Sequence, residues 1–269
     1  MHALNHTNYE KFKSCRAFET AAALKEEGLI RHIGISFHDK AEVLDMILTE
    51  QSCIEIVQIQ FNYIDYDDPA VEGRKVYDVC IKHGKPIIVM EPVKGGSLVK
   101  LPEDADRILR DLGGGSNASY AVRFAASFPN MTMVLSGMSS MEQMEDNISA
   151  MKDFRPLDDT EMEAVRKVCE VFRSLDMIPC TGCKYCIEAN HCPQDILIPN
   201  VFSAFNSYQT FHNWNAKFYY NEVLTQNGHG KASDCIECGC CEDICPQHLD
   251  IRDLLKQAAE VLEAEDEDD

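Results

Sequence analysis

The stretch "SDCIECGCCEDICPQHLDI", residues 233–251, places five cysteines within eleven positions. Cys235, Cys238 and Cys241 are spaced C-x2-C-x2-C, and Cys245 follows after three more residues, directly before a proline. This is the ligand spacing of bacterial ferredoxins. Three thiolates at such short intervals can bind three irons of one cubane, whereas structural zinc sites usually take two cysteines from each of two separated knuckles. The stretch therefore predicts a 4Fe-4S cluster.

A second run of cysteines, "IPCTGCKYCIEANHCPQD" at 178–195, repeats the spacing but places five residues before the last cysteine. In two-cluster ferredoxins the cysteine that precedes the proline ligates the other cluster. We therefore predict two 4Fe-4S clusters, with two zinc sites as the alternative. One predicted ligand set is Cys180, Cys183, Cys186 and Cys245, and the other is Cys235, Cys238, Cys241 and Cys192. Cys240 is left over and is interpreted as a packing residue beside the cluster.

Charge and hydropathy restrict the partners. The 269-residue chain has 45 acidic and 25 basic side chains and a net charge of -20. This charge repels phosphate backbones and anionic lipids, so we expect neither nucleic acid nor a membrane as a partner. The apolar runs fall far short of the roughly 20 residues of a membrane span, and the first residues lack the apolar region of a secretory signal. We predict a cytoplasmic protein, in which clustered cysteines more often hold metal than form disulfides.

Short β-rich segments alternate with helical patterns through the first 155 residues. The predicted strands cover 30–36, 53–61, 86–91 and 131–137, and helical patterns cover the segments between them, including 103–127. This alternation predicts right-handed βαβ units and a parallel sheet. Periodicity alone leaves a closed barrel and an open sheet as alternatives.

The remaining patterns predict core residues. Aromatic residues at helical intervals across 201–224 are interpreted as the core of the cysteine-rich domain. An amphipathic helix after the second cysteine run has one apolar face, formed by Ile251, Leu254, Leu255, Ala258 and Val261. The four scattered cysteines are interpreted as buried core residues; they are Cys15, Cys53, Cys80 and Cys169.

Six stretches together resemble the aldo-keto reductase family, in its branch with a C-terminal ferredoxin-like domain. They are "EEGLIRHIGISFHD", "VQIQFNYID", "IIVMEPVKGGSL", "VLSGMSSMEQMEDNI", "IPCTGCKYC" and "SDCIECGCCEDICPQHLDI". The resemblance implies an α/β fold: the last four to five βα units of a (β/α)8 TIM barrel, which binds a nicotinamide cofactor at the C-terminal ends of its strands, and then a small, mainly helical iron-sulfur domain. The implied limits are 1–156 for the barrel part, 157–176 for a connecting helix, 177–262 for the two-cluster domain and 263–269 for an acidic disordered tail.

The first four residues, "MHAL", resemble the end of a family strand that carries an active-site histidine. His2 matches this histidine, and a frayed terminal residue is the alternative. The resemblance places the family's catalytic aspartate, tyrosine and lysine on preceding units, so we expect an N-terminally truncated chain that lacks reductase activity by itself.

The resemblance also implies residues that contact the nicotinamide. Ser36 and Gln60 match positions that hold the carboxamide, and His38 lies in the same strand-end segment as Ser36. Met90 stands where many relatives stack an aromatic ring, and a polarizable thioether can cover the same face. The alternatives are structural: a serine there can cap the next helix, a glutamine can satisfy a loop, and a methionine can fill a core.

Five further residues match the rest of the cofactor site. Gly95 and Gly96 would let backbone N–H groups approach a pyrophosphate, with a plain turn as the alternative. Gly137 and Gln143 stand where NADPH-preferring relatives carry a lysine and an arginine, so we expect NAD(H) to be favoured over NADP(H). Asn147 matches a family residue near the adenine.

The sequence thus predicts an iron-sulfur oxidoreductase. It would couple nicotinamide-dependent hydride transfer, at a small-molecule carbonyl or alcohol, to 4Fe-4S electron transfer, and a redox partner protein is one candidate source of electrons. The alternative is an electron-transfer or structural iron-sulfur protein with a non-catalytic barrel remnant.

Overall fold

The computed structural model describes residues 1–68, 71–175, 177–189, 192–211, 214–225 and 228–264. The chain forms two compact units, which divide after Glu170. The predicted domain limits remain predictions, and most of the predicted acidic tail, 265–269, lies outside the described residues. None of the described helices is both long enough and apolar enough to cross a membrane.

Four parallel strands form the sheet of the first unit. They are β1 (Gly34–Phe37), β2 (Ile56–Gln60), β3 (Ile87–Met90) and β4 (Met131–Val134), and each pairs with the next in chain order. Right-handed connections between strands in this order place the helices on one face of the sheet. A doubly wound open sheet instead reverses its strand order at a switch point. The sequential order therefore favours the barrel over the open sheet.

The helices of the first unit are α1 (His6–Ser14), α2 (Ala17–Glu26), α3 (Ala41–Glu50), α4 (Gly73–Lys82), α5 (Glu103–Arg110), α6 (Asn117–Ala126), α7 (Met141–Lys152) and α8 (Asp159–Ser174), which crosses into the second unit. A short 3-10 turn covers Lys94–Gly96. The helical patterns predicted across 103–127 are two helices, α5 and α6. Three glycines separate them, and Gly115 has a φ of 135°, which no helical residue adopts.

Serine side chains cap the N-termini of α6 and α7, the helices that precede and follow β4 in the chain. The Oγ of Ser116 accepts a hydrogen bond from the N–H of Ser119 at 3.0 Å, at the start of α6. At the start of α7, the Oγ of Ser140 accepts one from the N–H of Gln143 at 3.3 Å. Such caps satisfy backbone donors that have no partner inside the helix. They fix where each helix starts beside the strand ends.

The two faces of the sheet differ in chemistry because side chains alternate along a strand. One face carries buried aliphatic residues, namely Ile35, Val57, Ile59, Ile87 and Val89. The other face carries Ser36, Gln58, Gln60 and Met90 near the C-terminal strand ends. The register places Ser36 beside Gln58 and Gln60 beside Met90. Polar side chains thus converge where a barrel binds its ligands.

β4 is the last strand of the sheet, and its outer edge pairs with no strand among the described residues. Met133 on β4 is 52% exposed, and Leu135 just beyond it is 39% exposed. No residue of α7 is fully buried, and Met141 and Ile148 of this helix are exposed. This side of the first unit presents an apolar surface beside an open strand edge.

The second unit is helical. Its elements are α9 (Tyr185–Glu188), α10 (Ile198–Phe211), α11 (Trp214–Tyr219), a π-helical turn (Tyr220–Leu224), a 3-10 turn (Ala232–Asp234), α12 (Cys240–Asp243) and α13 (Ile251–Leu262). The predicted aromatic core is confirmed for Phe202, Phe205 and Tyr220, which are buried, whereas Phe218 and Tyr219 are exposed. The predicted apolar face of α13 is confirmed, because Ile251, Leu255 and Ala258 are buried and Leu254 and Val261 pack against the same core.

The four scattered cysteines differ in burial, although all four were predicted to be buried. Cys80 and Cys169 are buried and Cys53 is half-buried, but Cys15 is exposed. Cys15 is the C-cap of α1 and lies beyond its packed face, with its N–H donating to the carbonyl of Lys11. The prediction of a buried Cys15 is wrong because an apolar sequence neighbourhood does not place a terminal helix residue in the core.

Candidate cofactor sites

A cavity of about 1080 Å³ lies in the first unit at the C-terminal ends of β3 and β4. Its lining comes from the segment after β3, the start of α6, the segment after β4 and the first turns of α7. Six of the nine predicted nicotinamide residues line it, namely Met90, Gly95, Gly96, Gly137, Gln143 and Asn147. Ser36, His38 and Gln60 are not among its lining residues.

The structure brings His2 to Ser36 on β1. The Nδ1 of His2 lies 3.0 Å from the Oγ of Ser36, and this oxygen accepts a hydrogen bond from the N–H of Ala3 at 2.7 Å. Leu4 forms a parallel bridge with Phe37 and is fully buried. The first four residues therefore extend the sheet and are not frayed. Ser36 binds this segment instead of capping α3, and its carboxamide role stays a prediction.

Gln60 belongs to a buried polar network at the ends of β2 and β3. Its Nε2 donates to Oδ2 of Asp65 at 2.7 Å, and Nδ2 of Asn62 donates to the same oxygen at 2.6 Å. The Nζ of Lys94 lies 2.5 Å from the other carboxylate oxygen of Asp65. All four side chains are almost inaccessible to solvent. Gln60 therefore forms hydrogen bonds within the loop, as the structural alternative predicted. Its contact with a nicotinamide carboxamide stays a prediction.

The segment after β3 has an unusual backbone. Glu91 and Lys94 have φ angles of 58° and 46°, in the left-handed region, which costs of order 1–3 kcal/mol per residue. Gly96, with a φ of 96°, meets this requirement without a side chain. The buried ion pair of Lys94 with Asp65 holds the segment in this conformation.

Within that segment, the Glu91 carboxylate is hydrogen-bonded to a backbone N–H group that was predicted to bind a pyrophosphate. Its Oε2 accepts a hydrogen bond from the N–H of Gly95 at 2.8 Å, and the N–H of Gly96 donates to the carbonyl of Val93 at 3.0 Å. Burial raises the pKa of the Glu91 carboxyl above its usual value. A pyrophosphate would reach the N–H of Gly95 only if the Glu91 side chain moved away.

The cavity is electronegative. Four carboxylates line it, from Glu91, Asp106, Glu142 and Asp146, and its one basic lining residue is Arg110, which forms an ion pair with Asp106. Two further basic residues of the first unit are engaged elsewhere: Lys94 forms an ion pair with Asp65, and Arg123 forms two 2.7 Å hydrogen bonds with Glu161. A lining rich in carboxylates favours a ligand group that carries little negative charge.

Asn147 offers an acceptor at the same cavity. Its Nδ2 donates to the Oγ of Ser136 at 3.0 Å. Its Oδ1 is buried and has no hydrogen-bond partner among the described residues. Because an unpaired buried acceptor costs free energy, this oxygen is suited to a donor group of a bound ligand.

The eight predicted ligand cysteines line two small cavities in the second unit. The first cavity is lined by Cys180, Cys183, Cys186 and Cys245, together with residues such as Ile198 and Phe202. The second is lined by Cys192, Cys235, Cys238 and Cys241, with Cys240 and Cys186 also in its lining. Each predicted set of four thus surrounds one cavity. No three His, Cys, Asp or Glu side chains among the described residues are drawn together as they would be around a single metal ion.

Burial holds several of these thiols in the protonated form. It raises the pKa of Cys186 to about 12 and that of Cys241 to about 11. Iron binds the thiolate, so binding must release protons and is coupled to folding of the site. The donor set of four thiols in an apolar surrounding fits an iron-sulfur cluster.

Three residues near the cavity were not identified from the sequence. Asp65 and Lys94 lie 29 positions apart, and no spacing rule pairs them. Glu91 ends the segment "IIVME", and a carboxylate directly after a strand is a signal that could have marked it. Tyr63 lies outside the lining of the cavity: its ring packs against Phe124, and burial of its hydroxyl raises its pKa.

Comparisons with known proteins identify a family for each part of the chain. Residues 3–170 match the model of the aldo/keto reductase family, and residues 179–249 match that of a 4Fe-4S dicluster domain. An uncharacterized oxidoreductase of Schizosaccharomyces pombe is 27% identical over 135 residues, which are 49% of this chain and 41% of that protein. The chain thus spans less than half the length of this curated relative.

Two solved structures illustrate the structural similarity. An aldo-keto reductase from Bacillus halodurans in its holo form is 24% identical, with 56% of this chain and 54% of that chain covered and a TM-score of 0.46. An aldo-keto reductase from Klebsiella pneumoniae in complex with NADPH is 16% identical, with 56% and 52% covered and a TM-score of 0.46. Since the aldo/keto reductase model matches well over half of its residues, and a 4Fe-4S match follows directly, this chain belongs to the aldo/keto reductase family and carries an iron-sulfur domain.

Proposed function

We propose that this chain serves an iron-sulfur oxidoreductase that transfers hydride between a nicotinamide cofactor and a small-molecule carbonyl or alcohol. Two 4Fe-4S clusters in the second unit would exchange the electrons. One observation carries the proposal: predicted cofactor residues from two separate segments, 90–96 and 137–147, line a single cavity of about 1080 Å³. A cavity of this size can hold an extended ligand, since the pockets that bind drug-sized molecules have volumes of roughly 300–1,000 Å³.

We propose a position along the cavity for each part of the bound cofactor. The thioether of Met90, at the end of β3, would cover the nicotinamide ring. At the other end, the free Oδ1 of Asn147 would accept a hydrogen bond from the adenine amino group. Between them lies the start of α6, where Ser116 and Asn117 place the positive end of the helix dipole towards the anionic part of the ligand. The cofactor, when bound, supplies the hydride chemistry, and these residues orient it.

We further propose that NADH is the preferred cofactor. The adenosine 2′-phosphate of NADPH would enter a lining with four carboxylates, where the guanidinium of Arg110 already pairs with Asp106. Gly137 and Gln143 provide no positive charge for it. A dianion without a cationic partner loses its strongest hydrogen bonds.

The two cysteine-lined cavities of the second unit support the proposal of two clusters. Each is lined by four cysteines of one predicted set, and the cysteine that precedes a proline comes from the other run. Apolar side chains such as Ile198, Leu249 and Leu255 would keep water from the clusters. The clusters, when bound, supply one-electron transfer, and a cytoplasmic redox partner protein is the proposed source or sink of those electrons.

A second candidate function is an electron-transfer or structural iron-sulfur protein whose barrel part is not catalytic. One observation favours it: the lining of the 1080 Å³ cavity, as far as the described residues show, includes no tyrosine, histidine or lysine that could donate a proton. The two candidates differ in whether a nicotinamide cofactor binds, so binding decides between them.

The deciding experiment uses Gly137, where a Cβ would meet no atom within 4 Å. Anaerobically purified protein is titrated calorimetrically with NADH and NADPH, and so are the variants Gly137→Ala and Gly137→Trp. If the cavity is the cofactor site, wild type and Gly137→Ala bind NADH, and the indole of Gly137→Trp abolishes binding while the circular dichroism spectrum stays unchanged.

The same samples report on the clusters. We expect about eight irons per chain and a broad absorbance near 400 nm, as two 4Fe-4S clusters require. Bleaching of this absorbance by NADH would support electron exchange with the nicotinamide. No NADH binding with eight irons present would favour the electron-transfer candidate, and colourless protein with about two zincs would refute the clusters.

A further inference from the structure

The second thiol cavity holds more sulfur than one cluster needs. A 4Fe-4S cubane takes four cysteine ligands, and the predicted set of four all line this cavity. Cys240 lines it as well. Cys186 also reaches this cavity, but it lies in the first cysteine run and lines the other cavity with its own set. Cys240 is therefore a fifth thiol at the second site.

Cys240 is next to one particular ligand. A side-chain hydrogen bond joins the thiols of Cys240 and Cys238. Between them the chain turns at Gly239, which has a left-handed φ of 78°, and α12 begins at Cys240. This turn directs both thiols into the same cavity, although they are only two positions apart.

Cys238 is also the most accessible member of its set. It is exposed, whereas Cys192, Cys235 and Cys241 are half-buried. An exposed thiolate is the one that oxidants and electrophiles reach first. The ligand with the greatest risk of loss is thus the ligand that has a second thiol beside it.

We propose that Cys240 is a reserve ligand of the second cluster, which binds the iron of Cys238 when that thiolate detaches. The inference rests on the proposed second cluster. In the exchange, the bond between iron and the Cys238 sulfur breaks and a bond between the same iron and the Cys240 sulfur forms. Cys240 gives up its thiol proton and Cys238 takes one, so no electrons are gained or lost.

The test compares iron content after anaerobic reconstitution in wild type and four variants. Wild type and Cys240→Ala should hold about eight irons per chain, and Cys238→Ala should also hold about eight, with a changed electron paramagnetic resonance signal of the reduced cluster. The matched control Cys235→Ala removes a ligand other than the one hydrogen-bonded to Cys240, and should fall to about four. The double variant Cys238→Ala/Cys240→Ala should fall to about four as well.

Alkylation identifies the new ligand. Iodoacetamide treatment of the holoprotein, followed by tryptic digestion, should label Cys240 in wild type and leave it unlabelled in Cys238→Ala. A Cys238→Ala variant that falls to four irons, or that keeps eight with Cys240 still labelled, would overturn the proposal. Wild type with only four irons would instead refute the second cluster itself.

A variant that keeps all four ligands gives an independent measurement. Under challenge with an iron chelator, Cys240→Ala should release the iron of the second cluster at least threefold faster than wild type, because an iron that detaches from Cys238 finds no second thiol. Equal release rates would contradict the reserve role even if Cys238→Ala failed to fold.

Discussion

The carboxylate of Glu91 accepts a hydrogen bond from the backbone N–H of Gly95, with 2.8 Å between Oε2 and nitrogen. Both residues line the proposed nicotinamide cavity. The Glu91→Gln variant removes the negative charge beside the expected pyrophosphate. We expect it to bind NADH roughly fivefold more tightly, which corresponds to about 1 kcal/mol. Calorimetric titration at pH 7.5 measures the change, and unchanged or weaker binding would show that Glu91 does not compete with the cofactor.

Titration of Glu91 gives this prediction a pH dependence. Burial raises the pKa of its carboxyl, so protonation neutralises it at a higher pH than an exposed glutamate. Wild-type affinity for NADH should therefore increase as the pH falls towards that pKa, and the affinity of Glu91→Gln should change less. The raised pKa also means that this carboxyl favours folding most at low pH, and that its contribution is lost as the pH rises through the folded-state pKa.

Gln143 controls the proposed choice between the two nicotinamide cofactors. The Gln143→Arg variant places a guanidinium in the carboxylate-rich lining, where a 2′-phosphate would need a cation. We expect the ratio of NADPH to NADH affinity to rise about tenfold, or about 1.4 kcal/mol. Gln143→Met serves as the control, since it changes the side chain without adding charge. Equal ratios in both variants would place the adenosine elsewhere.

The buried ion pair of Lys94 and Asp65 should stabilise the segment after β3. Because both side chains are almost fully buried, Lys94→Met leaves an unpaired carboxylate and should lower the free energy of unfolding by about 3–5 kcal/mol. The double variant Lys94→Met/Asp65→Asn removes both charges and should recover part of this loss. Urea unfolding followed by circular dichroism measures the free energies of unfolding of wild type and both variants. A double variant less stable than Lys94→Met would indicate that hydrogen bonding by Asp65 dominates.

Paired substitutions test how the two cysteine runs share their clusters. In the proposed pairing, Cys180 and Cys245 serve one cluster, so Cys180→Ala/Cys245→Ala should lose about four irons, as each single variant does. Cys235→Ala/Cys245→Ala should lose both clusters. If each run instead held its own cluster, the two double variants would exchange these results. Iron and acid-labile sulfide per chain are the measurements.

Cysteine spacing predicted two sets of four thiols, and in the structure each set lines one cavity; their role as cluster ligands stays a prediction. The sequence also indicated the strands of the sheet, since buried parallel strands are continuous apolar segments. Periodicity left barrel and open sheet as alternatives, and strand order in the structure favours the barrel. Contacts between distant positions could not be read from spacing: Asp65 with Lys94, and His2 with Ser36, meet only because the fold brings strand ends together. The helical patterns across 103–127 were likewise recognised, and Gly113, Gly114 and Gly115 lie between the two helices.

The open edge of β4 has a consequence for handling the protein. A strand edge with unpaired backbone groups is a template for another chain. At this edge, the exposed side chains of Met133 and Leu135 add an apolar surface. Concentrated solutions should therefore form strand-paired aggregates that nucleate at this edge, at a rate that rises steeply with protein concentration. A single gatekeeper charge, Met133→Lys, should delay turbidity in light-scattering measurements. The matched control Val223→Lys, at an exposed apolar residue of the helical second unit, should leave the lag time as it is in wild type.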